Sequence, residues 1–418
     1  MNKSLSAQVG VLILATSGVQ FANGFFGTFI SLRVDLENFT SLMAALVLSS
    51  FFAGFTIGAV FCIRIIERIG HIRAYAAFAG LVVAATAAMA LKSSPLLWLC
   101  LRAIIGFGCA GLFVTTEGWL NAKAPEEERG RVFSIYMVGT FIALALGQIL
   151  IGHVDITGSA PFDLIVAIFA LALALVSLTR AEPPQIIVAT SLPFGQLERA
   201  APVAAAGAAL SGLISGAFYA LVPAYMQSRG IDRGTIGLIM LAAVLGGLAF
   251  QIPVGRLSDR FDRRKVLTGL CLGLIATSII LTLVPRTRVT IVPVAILFGG
   301  FLSALYPVCV AYAHDRMGAE RIVPVTGRLI LLSGLGSVLG PLLGASLKVP
   351  FGINGILYMI AAAAFLLALI AAARSLTSAP PPRVERTIEI LTPQAAVMSQ
   401  GEIHGVTDHV RSSAQPSQ

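Results

Sequence analysis

The chain has 418 residues, of which 57% are hydrophobic and 12% are charged, and its mean hydropathy is +0.89. Soluble proteins carry about 25% charged residues and could not hide this much apolar surface from water. The composition therefore excludes a soluble enzyme, a nucleic-acid-binding protein and a disordered chain, and it predicts a polytopic membrane protein.

Twelve segments are long and apolar enough to cross a bilayer, which requires about 20 residues. In chain order, these predicted spans 1 to 12 cover about residues 8–32, 41–63, 74–91, 96–120, 132–152, 164–180, 202–226, 235–255, 266–284, 290–313, 323–346 and 353–373. Span 1 follows a charged start at Lys3, but no cleavage site follows the span, so we expect it to be retained as a helix.

The spans predict an all-α membrane protein with two six-helix bundles. The expected domains are an N-terminal bundle at 1–180, a cytoplasmic linker at 181–201, a C-terminal bundle at 202–374 and a disordered cytoplasmic tail at 375–418. With both termini in the cytoplasm, 21 of the 29 Lys and Arg residues lie on the cytoplasmic side and 7 on the outer side. This excess of positive charge inside supports that orientation in the cell (inner) membrane, and it explains the net charge of +9 without a nucleic-acid partner.

The two halves resemble each other in sequence. Aligning Glu67, in the loop after span 2, on Asp259, after span 8, gives an offset of 192 residues and places Gly54 on Gly246. Later in the halves, Gly147 falls on Gly344 at an offset of 197. Such matches in the same order indicate an internal duplication, and transporters built from parallel repeats hold their substrate between the halves.

Several motifs resemble those of the major facilitator superfamily. The loop GRLSDRFDRR at residues 255–264 is similar to the loop signature of that family, and RAIIGFG at 102–108 is similar to its span-4 motif. EGWLN at 117–121, together with Tyr306-Pro307 and residues 314–316, resembles the YcaD-like branch. Asp262 departs from the signature because it occupies a position where the family usually has glycine. The resemblance covers about residues 8–373 and implies two pseudo-symmetric bundles, the MFS fold.

The resemblance also implies a cytoplasmic gate. Each loop acid would lie at a helix start of the opposite half, Glu67 at span 11 and Asp259 at span 5, where free N–H groups favour an anion. The alternative is a solvated basic loop that only sets the topology. The gate candidates are Gly255, Glu67, Arg68, Asp259, Arg260, Arg263 and Arg264.

Two ionisable residues lie inside spans and are candidates for coupling. Glu117, near the cytoplasmic end of span 4, is either a proton carrier or a structural partner of Arg68 or Arg73, and we expect the structural ion pair. By the same logic, Asp315 would pair with Arg263 in the second half.

Arg102 is the only cation well inside a span and must face the protein interior. It either hydrogen-bonds to the backbone of span 1, as the resemblance implies, or handles protons or substrate. The residues leave this choice open.

Polar residues on single helix faces predict a cavity. Thr16, Gln20, Asn23 and Gly27 share one face of span 1, with Phe21 and Phe25 beside it. The further candidates are Ser211, Ser215 and Tyr219 in span 7 and Tyr306 in span 10. The alternative for each of them is ordinary hydrogen bonding between helices.

The sequence thus predicts a secondary transporter that moves a small solute by alternating access. Protons are the candidate coupling ion, and a facilitative uniporter and a non-transporting receptor or scaffold are the alternatives. An enzyme is not expected, since an acid or histidine cluster at one interface is missing. The five cysteines and five histidines lack metal-ligand spacing, so no cofactor or metal is expected. The expected partners are the solute and the lipid bilayer, with a monomer as the functional unit.

Overall fold

The computed structural model describes residues 3–124, 128–178, 195–285, 287–317 and 321–377. In these ranges the chain forms twelve long helices and one short one. The helices are α1 (Lys3–Leu36), α2 (Ser41–Ile69), α3 (His71–Leu91), α4 (Pro95–Lys123), α5 (Arg129–Gly147), α6 (Ala160–Ser177), α7 (Gln196–Ala200), α8 (Pro202–Ser228), α9 (Arg233–Arg260), α10 (Arg263–Leu283), α11 (Arg288–Met317), α12 (Ile322–Phe351) and α13 (Gly355–Thr377).

The described part has eleven stretches that are long and apolar enough to span a membrane. The last of them, Pro324–Thr377, contains both α12 and α13, so twelve helices cross in total. The predicted all-α membrane fold is confirmed. The boundaries differ by a few residues; span 6, for example, begins at Ala160, where a proline in the first turn suits a helix start.

Short polar caps delimit several helices. The side chain of Thr40 accepts a hydrogen bond from the backbone of α2, Asp232 caps α9 and Asp262 caps α10. Each cap satisfies a backbone N–H group that has no partner within its helix. Between α2 and α3 the chain turns at the single residue Gly70, whose φ of 80° lies in the left-handed region that favours glycine.

Equivalent helices pack in the same way in the two halves. In the N-terminal half, α2 packs on α4, α1 on α5 and α3 on α6. In the C-terminal half, α9 packs on α11, α8 on α12 and α10 on α13. This repetition gives the two pseudo-symmetric six-helix bundles that the sequence predicted.

Glycine contacts repeat with the helices. Gly54 lies against the backbone carbonyl of Ala103, and its counterpart Gly246 lies against the carbonyl of Ile296. Neither site has room for a methyl group, because the neighbouring helix backbone is in direct contact. Such close approaches are typical of helix packing in membranes.

One part of the predicted sequence alignment is wrong. Gly147 packs against the backbone of Phe21, and the equivalent contact in the second half is that of Gly340 with Leu213. Gly147 therefore corresponds to Gly340 and not to Gly344. The offset of 197 was one helical turn too long, and residues one turn apart share a helix face, so spacing alone could not separate the two glycines.

The predicted linker contains a short helix, and the last helix extends into the predicted tail. Within the predicted linker, α7 packs by the buried Leu197, and Arg328 of α12 donates two hydrogen bonds to Glu198, at 3.0 and 2.9 Å. At the other end, α13 continues to Thr377, beyond the predicted start of the tail. Residues 181–194 and 378–418 lie outside the described residues.

The helices alternate in direction, so their connections lie on two faces. The face where α1 begins and α13 ends is the proximal face, and the other is the distal face. The two halves touch at the distal face, where the Ser31 hydroxyl donates to the Ala220 carbonyl at 2.5 Å and accepts from the Ala224 amide at 3.3 Å. Nearby, Gly152 and Gly234 approach so closely that a Cβ on Gly152 would lie 2.8 Å from the Gly234 Cα.

Candidate functional site

A cavity of about 240 Å³ lies between the two halves. Its walls come from α1, α2, α4 and α5 of the first half and from α8, α11 and α12 of the second. Because the halves are in contact at the distal face, the cavity is closed on that side by Ser31 and the glycine pair described above.

The structure brings most of the predicted cavity residues together. Gln20, Asn23 and Gly27 line the cavity from α1, and Asn23 donates a hydrogen bond to Gln20 at 3.3 Å. From the other half, the wall includes the predicted residues Ser211, Ser215, Tyr219 and Tyr306.

Three predicted residues do not line the cavity. The Thr16 hydroxyl donates to Thr116 of α4 at 3.2 Å and is buried between the helices. Phe25 is fully buried and stacks on Phe29, with ring centroids 5.7 Å apart. Phe21 packs at the contact between α1 and α5. These three residues pack against other residues of the first bundle. Their spacing along α1 could not show whether a side chain contacts a neighbouring helix or lines a cavity.

The two walls of the cavity differ in chemistry, which sequence reasoning missed. All six phenylalanines of the cavity belong to the first half, which also contributes polar side chains such as Gln20, Asn23 and Tyr136, whereas the polar lining of the second half consists of serines and tyrosines. The aromatic wall comprises Phe26, Phe51, Phe52, Phe55, Phe113 and Phe141. The hydroxyl wall comprises Ser211, Ser215, Ser303, Ser333, Ser337, Tyr219 and Tyr306. The four-residue spacing of Phe51 and Phe55, and of Ser333 and Ser337, places each pair on one helix face. That spacing could have indicated the cavity, but a phenylalanine pair on a membrane helix can also face lipid.

Arg102 lies at the distal end of the cavity and is only 4% exposed. Its guanidinium carbon lies 5.1 Å from the ring centroid of Phe26 and 4.6 Å from that of Phe51. The contact with span 1 is thus made through an aromatic ring. A hydrogen bond from Arg102 to the backbone of span 1, one of the two alternatives left open by the sequence, is absent among the described residues. Stabilisation by the two rings is modest, about 0.5–2 kcal/mol for each contact.

Glu117 lies toward the proximal end of the cavity and is 3% exposed. It accepts a hydrogen bond from the Tyr136 hydroxyl at 3.4 Å. The expected ion pair with Arg68 or Arg73 is wrong, since within the described ranges Glu117 has no cationic partner. Its side chain faces the cavity and not the loop at the end of α2.

Four buried polar atoms of the cavity wall have no hydrogen-bond partner in the described part of the chain. They are Arg102 Nε, Glu117 Oε2, the Tyr306 hydroxyl and Ser333 Oγ. Buried polar atoms are nearly always hydrogen-bonded, because each one left alone costs about 1–3 kcal/mol. A cluster of four around one cavity is suited to binding a polar solute.

The loop after α9 forms a charged network within the second half. Arg263 donates to Asp315 of α11 at 2.6 Å, to Ser258 at 2.8 Å, and pairs with Asp259 at 3.4 Å. The predicted pairing of Asp315 with Arg263 is confirmed. Asp259 is therefore held by its own half, at the proximal end of α9.

The unusual Asp262 has a structural explanation. It caps α10 and binds the Arg264 side chain with both carboxylate oxygens, at 3.0 and 2.7 Å. The hydrogen bonds from Arg264 lower the pKa of the Asp262 carboxyl. Arg264 also donates to the carbonyl of Arg374 at 2.6 Å, so the loop is attached to the end of α13.

The other gate candidates lie at the same face. Glu67, Arg68 and Arg260 are exposed at the ends of α2 and α9, and Gly255 is buried within α9. The structure places them at the proximal face, and among the described residues Glu67 forms no hydrogen bond or ion pair with α12.

Two membrane-spanning bundles of six helices around a central polar cavity define a protein of the transporter class. The sequence model described as Major Facilitator Superfamily matches residues 12–199 and 204–403. The chain therefore belongs to the major facilitator superfamily.

Similar proteins support the assignment to the major facilitator superfamily. The chain is 28% identical over 357 residues to the uncharacterized MFS-type transporter YcaD of Escherichia coli O7:K1, covering 85% of this chain and 91% of the relative. The YcaD protein of Shigella flexneri matches to the same extent.

Solved structures show the same fold. The nucleoside transporter NupG superimposes with a TM-score of 0.70 at 13% identity, over 89% of this chain and 99% of that one. A bacterial homologue of the human lysosomal transporter Spinster, in an inward-facing and unoccupied conformation, gives 0.69 at 14% identity, over 89% and 96%.

Proposed function

We propose that this protein is a secondary transporter that moves a small solute across the cell inner membrane by alternating access, with the proximal face in the cytoplasm. The observation that carries the proposal is the cavity between the halves, with its four unpartnered polar atoms. We propose a monomer as the functional unit.

The contact between the halves at the distal face is suited to opening. Close glycine contacts and the Ser31 hydroxyl contribute to it, and the hydrogen bonds of Ser31 can be replaced by water when the halves separate. A distal face that opens while the proximal face closes would expose the cavity to the other side.

The register of the helices supports the cytoplasmic gate for Glu67. Gly334 of α12 packs against Thr56 of α2, and the two helices run in opposite directions. Glu67 lies 11 residues beyond Thr56, or about 16 Å, and the start of α12 at Ile322 lies 12 residues before Gly334, or about 18 Å. Glu67 is therefore level with the first turn of α12, whose free N–H groups favour an anion.

The register of α9 against α5 supports the cytoplasmic gate for Asp259 as well. Gly237 of α9 packs against the Gln148 carbonyl beyond α5. Asp259 lies 22 residues from Gly237, or about 33 Å, and the start of α5 at Arg129 lies 19 residues from Gln148, or about 28 Å. Closure of the proximal face would place Asp259 beside the start of α5.

Glu117 is the proposed proton carrier. An acid inside a membrane span that faces a cavity is a functional candidate by default. Its only hydrogen-bond partner among the described residues is the neutral hydroxyl of Tyr136, so a salt bridge does not hold Glu117 in its charged form. A carboxyl group in this setting is suited to binding a proton on one side and releasing it on the other.

The test uses purified protein in liposomes that contain the pH-sensitive dye pyranine. Sugars, amino acids, nucleosides, amines and carboxylates are added one class at a time, and the internal pH is followed. We expect one class to cause proton movement with the wild type. Glu117→Gln should keep solute exchange between the two sides but lose uphill accumulation driven by a proton gradient.

Asp163→Asn is the matched control, because Asp163 is an exposed acid at the distal face, away from the cavity. It should behave like the wild type. Downhill solute movement without proton movement would favour the facilitative uniporter, and binding without movement would favour the receptor. Gradient-driven accumulation by Glu117→Gln would remove Glu117 from the coupling step.

A further inference from the structure

We propose that the solute is a small aromatic monoanion, whose charged group binds Arg102 while its ring packs against the phenylalanine wall. This inference rests on the proposed transport function and names the class of solute.

Arg102 carries a buried positive charge. Arginine keeps its charge in proteins, and a buried charge requires a partner of opposite sign. Arg102 is 4% exposed, yet no acid pairs with it in the described ranges, and its Nε atom has no hydrogen-bond partner. An anion in the cavity would supply the missing charge and the missing acceptor together.

The surroundings of the guanidinium group favour a carboxylate. Phe26 and Phe51 lie against it, with ring centroids 5.1 and 4.6 Å from its central carbon. A phenylalanine ring has no lone pair to offer, so these contacts supply no oxygen acceptor to the N–H donors of the group. Those donors suit a planar carboxylate, or a sulfonate of the same charge, which can accept two parallel hydrogen bonds.

The lining of the cavity suits a ring that carries polar substituents. Six phenylalanines of the first half and seven hydroxyl-bearing residues of the second half line the same cavity. An aromatic ring would pack on the phenylalanines, while polar substituents would find the unpartnered Tyr306 hydroxyl and Ser333 Oγ. A purely aliphatic solute would leave these hydroxyl groups without a partner.

The charges of the cavity suit a solute with one negative charge. Arg102 is the one cation among the residues that line the cavity in the described part of the chain. Glu117 lies 15 residues further along α4, about 22 Å away, so it cannot neutralise Arg102 directly. A second negative charge on the solute would be left without a partner in the same cavity.

The test measures binding to the detergent-purified full chain by thermal shift and titration calorimetry. The anionic probes are benzoate, phenylacetate and benzenesulfonate. Each carboxylate has a neutral partner of nearly the same shape, benzamide or phenylacetamide, and benzylamine and acetate serve as the cationic and the non-aromatic probe. We expect the aromatic anions to raise the melting temperature and to bind at least about tenfold more tightly than the amides, the amine and acetate.

Variants connect this preference to the site. Arg102→Gln should bind the anions and the amides equally, and Arg102→Lys, which keeps the charge, should recover part of the preference. The matched control is Arg64→Gln, because Arg64 is an exposed arginine over the ring of Phe61 outside the cavity. The control should keep the wild-type preference.

Several results would overturn the inference: no binding of any aromatic anion, equal binding of the amides, or a preference for benzylamine. An unchanged anion preference in a folded Arg102→Gln variant would also overturn it. If benzenesulfonate bound more tightly than both carboxylates, the solute would still be an aromatic monoanion, with a sulfonate as its preferred charged group. The liposome experiment reports separately on the transport function, since any solute class that moves there supports transport even when the anions fail.

Discussion

The serine that joins the two halves offers a sharp test of alternating access. Ser31 of α1 is fully buried, and its hydroxyl lies between the Ala220 carbonyl and the Ala224 amide of α8. In a regular α-helix these two backbone groups would bond to each other. The neighbouring Pro223 lies inside the same turn, and the hydroxyl of the other half bonds to both groups. We expect Ser31→Ala to favour the conformation that is open at the distal face.

The size of the effect follows from the two hydrogen bonds that are lost. Each contributes about 0.5–1.5 kcal/mol net, so the closed distal face would lose about 1–3 kcal/mol. When the distal face is open, water can bond to these groups, and the variant loses little there. The equilibrium between the two conformations should therefore shift by a factor of about 5–150.

Distances between spin labels would measure this shift. Ser93 and Val289 are exposed at the distal face, one in each half, and both can be changed to labelled cysteine. Cys100, the exposed native cysteine, would first be replaced. In the Ser31→Ala background, the longer distances should gain population.

The control is Ser278→Ala, because the Ser278 hydroxyl is just as buried but donates to Leu274 within its own helix, at 2.7 Å. That variant should leave the distances unchanged. If Ser31→Ala also left them unchanged, or shortened them, the contact would not be part of the closure of the distal face.

Two further predictions concern the loop after α9. Asp259→Asn should shift the same label distances the other way, toward the conformation with an open proximal face. The reason is that the closed proximal face would lose the contact of Asp259 with the start of α5, which contributes about 0.3–2 kcal/mol. Unchanged distances would mean that the loop only sets the topology. Arg263→Gln should lower the thermal unfolding midpoint, because the largely buried Asp315 carboxylate loses a charged hydrogen bond of 2.6 Å, which contributes about 1.5–3 kcal/mol. The exposed Arg64→Gln variant should melt like the wild type, and equal melting of Arg263→Gln would show that the pair is not stabilising.

The sequence alone was enough for the fold. Hydropathy along the chain located twelve spans, because each membrane helix must satisfy its own backbone and present apolar side chains to lipid. The repeated loops predicted the duplication, and the pairing of Asp315 with Arg263 followed from charge and topology. The exact register of the repeat could not be predicted from the sequence, because Gly340 and Gly344 lie one turn apart on the same helix face.

The tertiary structure decided what each polar residue does. Gln20 and Thr16 belong to the same polar stripe, yet one lines the cavity and the other bonds to Thr116, which is 100 residues away in the chain. Glu117 was expected to pair with a loop arginine, but its side chain faces the cavity. Hydropathy is a local property that the amino-acid order determines, whereas the partner of a buried polar group depends on which distant helix packs beside it.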